Sequence, residues 1–370
     1  MSAVTQQRLV DHFIELIKID SESGNERAIA EHLQQQLMAL GFEVTPVAID
    51  PSISNGFSLY AKLVGTLPGS VLFSSHMDTV APGNGIEPII NDGIIRSAGE
   101  TILGGDDKSG IAAIMEAVRT IQAQQLPHQT LELAFTVYEE LGLAGAKQFD
   151  MSLIQSSYGI VLDSGGPIGT IITTAPGQQS LTVNIQGKPA HAGLAPETGI
   201  NALTVAAEAI TNMKLSRIDH ETTANIGVVH GGQATNVVMP SLRLEAEARS
   251  LDDAKLEQQV QHMVATFQAA AANHGAQIQI DVERSYNPYR IADDHPLVTQ
   301  VSAAFVANGI TPQVASTGGG SDANIFNERG LPTVNLSTGM TKVHTTEEQL
   351  AIADLVAISQ FIVRYLTQVH

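Results

Sequence analysis

Leu131-Glu132-Leu133-Ala134-Phe135-Thr136-Val137-Tyr138-Glu139-Glu140 is the stretch that decides the fold. Its first eight residues are mostly apolar and β-prone, so they read as a buried strand, and two carboxylates follow at once. Adjacent acids at the end of such a strand are unfavourable unless something pairs with them. Side chains alternate along extended chain, so one glutamate could ligate a metal while its neighbour takes up and returns a proton. Taken alone, the pair reads equally well as two solvated acids in a loop.

Working outward, short apolar runs at residues 42–49, 59–64, 71–74 and 160–162 alternate with helical patterns. The first 20 residues show helical spacing of Leu9, Val10, Phe13, Ile14 and Ile17. Ser23 and Glu26 have the spacing of a capping box for a helix through Ile29, Leu33 and Leu37, which Gly41 would end. A further helix is expected over 109–122. This alternation predicts an α/β sheet with helices on both faces, in which ligands gather at the carboxyl ends of strands. The acidic and imidazole signatures fall there: His76 follows 71–74, Glu139 and Glu140 follow 131–138, and Asp163 follows 160–162.

His76-Met77-Asp78 sets His76 and Asp78 on one side of an extended chain, where a carboxylate can accept the second ring N–H of a ligating imidazole. Gly104-Gly105-Asp106-Asp107-Lys108-Ser109-Gly110 lies at the mouth of a helix. Two acids there also serve as helix caps and dipole partners, but the flanking glycines permit the close backbone a bridging carboxylate requires. The segment is no phosphate loop, because Asp107 stands where the glycine before the lysine should be. His344 precedes Thr345 and Glu348, whose spacing suggests a second capping box. With no cysteine in the chain, a metal must be held by His, Asp or Glu. Imidazole and carboxylate are donors that Zn²⁺ accepts, and two such ions about 3.5–4 Å apart suit hydrolysis of a carbonyl.

From residue 178 to 286 the rhythm becomes strand, helix, strand, strand, helix, strand, the split β-α-β pattern of ferredoxin-like domains. Its strands alternate cleanly, which leaves one sheet face polar. An α/β pattern then resumes, with a helix over 296–308, a strand at 333–336 and a last helix carrying Leu350, Leu355, Ile358, Ile362 and Leu366. The expected organisation is a discontinuous catalytic domain, 1–176 and 288–370, with 177–287 inserted. The 370 residues suit two domains. The net charge of −19 opposes nucleic acid and anionic membranes, and no run of about 18 apolar residues suggests a membrane span. The N-terminus lacks the apolar core of a signal peptide, so the expected location is the cytoplasm.

Asp163-Ser164-Gly165-Gly166-Pro167 offers a competing reading, since it looks like the nucleophile loop of trypsin-like serine proteases. Those have paired β-barrels and the chain order His, Asp, Ser, whereas this chain alternates helices and strands and offers only His76 for such a role.

Taken jointly, Ser75-His76-Met77-Asp78-Thr79, Ile102 to Gly110, Glu139-Glu140-Leu141-Gly142, Asp163, Gly187-Lys188-Pro189-Ala190-His191-Ala192-Gly193 and His344 resemble the M20 metallopeptidase family, and within it the peptidase T-like aminopeptidases. The resemblance implies a zinc-peptidase-like α/β/α catalytic domain with an inserted ferredoxin-like dimerisation domain. It implies that His76 and Asp163 hold one zinc, Glu140 and His344 the other, and that Asp106 bridges them, with cobalt or manganese as alternative ions. It makes Glu139 the general base and Asp78 the group that orients His76, and it implies a cis peptide between Asp106 and Asp107. It further implies that His191 of the partner subunit donates to the oxyanion in a homodimer, and that Asn236, Arg249 and the Gly318–Gly320 loop, Gly319 included, lie on the substrate side. The implied activity is removal of residues from the amino end of short peptides. An N-acyl amino acid amidohydrolase or carboxypeptidase with the same metals is the alternative, and a non-catalytic metal-binding dimer the alternative of another class.

Overall fold

A computed structural model describes residues 4–369. The chain divides into two compact units, residues 1–173, 290–316 and 321–370 in the larger and 174–289 with 317–320 in the smaller.

The larger unit is built on four parallel strands, Thr130–Thr136, Ser70–His76, Gly159–Ser164 and Thr333–Ser337, adjacent in that order. All but at most two residues at one end of each are buried, as expected of strands covered on both faces. Glu43–Val47 and Ser58–Leu63 extend the sheet antiparallel beyond Thr130–Thr136, and Thr170–Ala175 follows Thr333–Ser337 on the other side. Helices Gln6–Ile17, Gly105–Ala123, Pro296–Ala307 and Ile352–Leu366 pack on one another, with the Phe305 and Phe361 rings stacked at 4.2 Å. Arg27–Ala39 packs on the two antiparallel strands, and Asp322–Glu328 on Gly159–Ser164 and Thr333–Ser337. Each fully buried Leu, Ile or Phe of this core contributes about 1.5–3 kcal/mol. A separate three-stranded sheet joins Pro88–Asn91, Ile94–Ser97 and Gln349–Ala351.

Helix Gly105–Ala123 approaches the sheet closely. A Cβ on Gly110 would lie 2.8 Å from Asp107 Oδ1 and 2.9 Å from Leu162 Cβ, and closer still to Ser75 Oγ. Only glycine lets this turn of helix lie against strands Ser70–His76 and Gly159–Ser164.

The smaller unit contains a five-stranded antiparallel sheet ordered Ser216–Arg217, Thr222–Gly231, Ser241–Ser250, Gly177–Gln186, Gln277–Tyr286. Helices Ala202–Asn212 and Asp253–His274 cover one face, burying Leu181, Val183, Ile185, Leu242, Leu244, Leu256 and Phe267. Ser180, Thr182, Asn184, Arg243, Glu245 and Glu247 alternate with these and point away from that core. Strand and helix order and the strand neighbours are those of the split β-α-β arrangement.

Neither expected capping box forms. Helix Arg27–Ala39 starts at Glu26, which makes no side-chain cap; Ser23 Oγ donates instead to Asp78 Oδ2 at 2.7 Å. Glu26 turns inward, fully buried, and accepts from the amides of Gly24 and Tyr138 and from the Ser54 hydroxyl. No helix follows Thr345 either. Residues 342–347 form turns, the chain returns as strand Gln349–Ala351, and the last helix begins only at Ile352. In both places the acid finds amides distant in sequence, and a tertiary partner overrides the local cap.

Candidate metal centre

The four parallel strands end on one side, and each delivers chemistry there. His76 is the last residue of its strand, Asp163 lies near the end of another, Glu139 and Glu140 follow a third, and the chain leaving the fourth reaches His344. Asp106 comes from the mouth of helix Gly105–Ala123, where Gly104 adopts φ +74° and Asp106 and Asp107 depart from helical angles. The Asp106–Asp107 peptide is cis.

Asp106 stands between two groups. Its Oδ1 lies 3.1 Å from His76 Nε2, which is itself 3.8 Å from Asp163 Oδ1. Its Oδ2 lies 3.3 Å from His344 Nε2, which is 3.0 Å from Glu140 Oε2. The five side chains named from the sequence as ligands therefore converge, and the two oxygens of one carboxylate face separate imidazoles. His76, Asp106 and Glu140, and likewise His76, Asp107 and Asp163, each form a cluster able to hold a metal ion. His344 is half exposed, whereas His76 is buried.

The buried charges of this cluster act strongly on one another. Burial disfavours the imidazolium of His76, but Asp106, Asp78, Asp163 and Glu139 outweigh it and hold its pKa well above the usual histidine value. Hydrogen bonding to Asp106 and Glu140 pushes His344 up to about 10. Burial also drives Asp163 and Glu139 well above the carboxylate range, reinforced at Asp163 by Asp106 and at Glu139 by Asp322 and Glu140. Asp106 goes the other way; despite burial, its hydrogen bonds to His344 and His76 hold it below the usual aspartate. A set of carboxylates this crowded and this buried demands positive charge, which bound cations would supply. Glu140 Oε1 is buried with no hydrogen-bond partner among the described residues. A donor set of nitrogen and oxygen alone, with Glu140 Oε1 and Asp107 Oδ1 both unsatisfied among the described residues, fits a pair of zinc-like ions.

A second layer of buried acids holds the backbone beneath these ligands. Asp78 Oδ1 accepts from Glu139 N at 2.9 Å and its Oδ2 from Glu140 N at 3.2 Å. The nearest acceptor for His76 Nδ1 is the Asp78 carbonyl, at 2.9 Å, and the Asp78 carboxylate is farther, at 3.5 Å. Asp107 Oδ2 accepts from His76 N at 3.2 Å. Glu26 and Glu348 complete the layer, although the sequence reads both as members of helix caps. Asp322 is also buried, with one oxygen bonded to the Thr136 hydroxyl and the other without a partner among the described residues.

The remaining expected residues lie in the smaller unit, at two ends of its sheet. His191 is exposed, and its Nδ1 accepts from Gly193 N and Leu194 N, which leaves the proton on Nε2. Asn236 is beside it, since its carbonyl accepts from Ala192 N. Arg249 pairs across the sheet with Gln178, and its guanidinium makes a two-point contact with Glu247 at 2.9 and 3.0 Å. Gln178 is also opposite Tyr286, against whose ring Gly320 packs, next to Gly319. Strand Gly177–Gln186 separates the two groups, about 30 Å at roughly 3.3 Å per residue. The unit does not bring His191 and Arg249 together.

Comparison with known proteins agrees with this geometry. The sequence model of peptidase family M20/M25/M40 matches residues 72–368. The chain is 42% identical to aminopeptidase PepT from Bacillus cereus, with a TM-score of 0.88 over 98% of both chains. It is 38% identical to a tripeptidase from Staphylococcus aureus, with a TM-score of 0.93 over 98% of both. A Bacillus subtilis relative, the uncharacterized protein YqjE, is 42% identical over 99% of each chain. By fold, by site and by these likenesses, the chain belongs to peptidase family M20/M25/M40 and is a metallopeptidase of its peptidase T-like branch.

Proposed function

We propose that this protein is a two-zinc aminopeptidase that removes the first residue of short peptides, tripeptides among them, in the cytoplasm. The observation that carries the reading is the division of Asp106 between two imidazole–carboxylate sets, His76 with Asp163 and His344 with Glu140. The likeness to an aminopeptidase and a tripeptidase along nearly the whole chain supports the substrate class.

Two bound cations would polarise the substrate carbonyl and make water acidic enough to attack it near neutral pH. Glu139, buried beside this cluster, accepts the proton of the attacking water and returns it to the leaving amine. Its burial and neighbouring acids raise its proton affinity, which suits a group that must hold a proton between the two steps. Asp78 fixes the Glu139 and Glu140 amides and so aims both side chains. Arg249 receives the peptide carboxylate by its planar fork, in exchange for Glu247. Because His191 lies about 30 Å along the sheet from Arg249, His191 of the partner subunit serves the oxyanion, in a homodimer formed through the smaller unit. Its Nε2 proton is the donor this role needs.

The test is a panel of free-amine and N-blocked tripeptides incubated with metal-loaded and chelated enzyme. Cleavage of the free-amine peptides alone, abolished by chelation and restored by zinc, is expected. Preferential cleavage of N-blocked peptides would make it an amidohydrolase instead, and activity indifferent to chelation would end the two-metal reading.

A further inference from the structure

We propose that Glu348 is a positioning residue that docks the loop bearing His344 onto the segment bearing Asp106, and so sets His344 against Asp106 and Glu140, in the half of the metal centre whose histidine lies on a loop and not on a strand. The inference rests on the two-cation reading and adds to it a residue that touches neither cation nor substrate.

The Glu348 carboxylate is 2% exposed, and both its oxygens are taken by backbone. Oε2 accepts from Leu103 N at 2.7 Å and Gly104 N at 2.9 Å, and Oε1 from Asp106 N at 3.0 Å. These are the amides of the segment that presents Asp106, so one side chain ties the entry turn of that segment to the chain around His344. Gly105 makes the approach possible, since a Cβ there would stand 3.0 Å from Oε1. On its own side, Glu348 sits at the base of a loop closed by reciprocal bonds between Thr341 and Gln349, each 3.1 Å. His344 lies within that loop in the left-handed region, at φ +62°. A half-exposed imidazole on such a loop has little packing to hold it, so its 3.3 Å approach to Asp106 Oδ2 depends on how the loop is docked. His76 and Asp163 sit instead on buried parallel strands and need no such strap.

The distribution of the bonds makes the carboxylate irreplaceable by an amide. A glutamine side chain at this position, in either orientation, would present an NH₂ to at least one of the three N–H groups, whereas both oxygens of the anion accept. The experiment uses full-length, metal-stripped protein titrated with Zn²⁺ against a chromophoric chelator, with Co²⁺ absorption as a second readout of coordination. Wild type should take up two ions. Glu348→Gln should bind one ion within about 3-fold of wild type and the other about 10–100-fold more weakly, the range usual for loss of a supporting group. Two ions bound as in wild type, or both weakened alike, would overturn the assignment. Should Glu348→Gln be recovered unfolded, Glu348→Asp carries the same test, because it keeps the charge but is one methylene too short to reach all three amides. A wild type that fails to bind two ions would sink the two-cation reading itself, a result distinct from any of these.

Discussion

Replacing Gly110 by alanine separates local propensity from tertiary fit at the site. Inside an unencumbered helix the change stabilises by up to about 1 kcal/mol. Here the new Cβ would meet Leu162 Cβ at 2.9 Å and Asp107 Oδ1 at 2.8 Å, against 3.4 Å for ordinary contact, so the helix must retreat by at least half an ångström. Overpacking of this kind costs about 1–3 kcal/mol, and the three close contacts put this site toward the upper end, so that after the propensity gain a net loss of up to about 2 kcal/mol remains. The retreat also carries Asp106 away from His76, now 3.1 Å distant, and Asp106 must serve both halves of the centre. Since a misplacement of about 1 Å can reduce rate on the order of 100-fold, a fall in kcat/KM of about 10–100-fold is expected. Urea unfolding and peptide kinetics on Gly110→Ala measure the two effects. Gly99→Ala, where a Cβ has nothing within 4 Å, is the control. A Gly110→Ala enzyme at least as stable as wild type, with turnover within about twofold, would refute this account of the packing.

Glu139→Gln should keep both cations while kcat falls about 10²–10⁴-fold, and metal analysis beside kinetics checks it; near-normal turnover would remove Glu139 from proton transfer. Asp78→Asn should lose about 1.5–3 kcal/mol in urea unfolding, because one amide of Glu139 or Glu140 is left facing an NH₂ group; an unchanged midpoint would show that these bonds contribute nothing. His12 is buried against Gln36, and burial, with the charge of Arg119, lowers its pKa to about 4 from an ordinary 6.5. The unfolded chain therefore binds the proton first, so the stabilisation is whole above pH 6.5 and is lost as pH falls to 4. Its ceiling is about 3 kcal/mol. Unfolding free energies measured across that window should decline less steeply in His12→Gln than in wild type, and parallel curves would contradict the assignment.

The parts of this molecule legible in the sequence are those whose signal is local. Apolar runs ending in His76, Glu139 or Asp163 declare both a buried strand and the side on which its chemistry lies. The supporting acids are illegible for the opposite reason. Glu26 and Glu348 each stand three residues after a hydroxyl residue, a spacing that reads as a helix cap, yet their partners are Tyr138 and Leu103, far along the chain. Nothing near either glutamate announces that partner. The hairpin Pro88–Asn91 with Ile94–Ser97 escapes the sequence reading because its first strand is largely exposed and lacks alternation. Its turn is the available signal, since Asp92 and Gly93 both have positive φ, the two-residue connection that an Asp-Gly pair favours.

The order in which the ligands occur has a consequence for how the enzyme comes into being. His76, Asp106 and Asp163 all precede the smaller unit in the chain and are translated before it begins. Glu140 waits for His344, which leaves the ribosome only after that entire unit and the strand Thr333–Ser337 have been made. On the two-cation reading, the His76–Asp163 half of the centre can be complete in a growing chain before the smaller unit is made, and the His344–Glu140 half only after it.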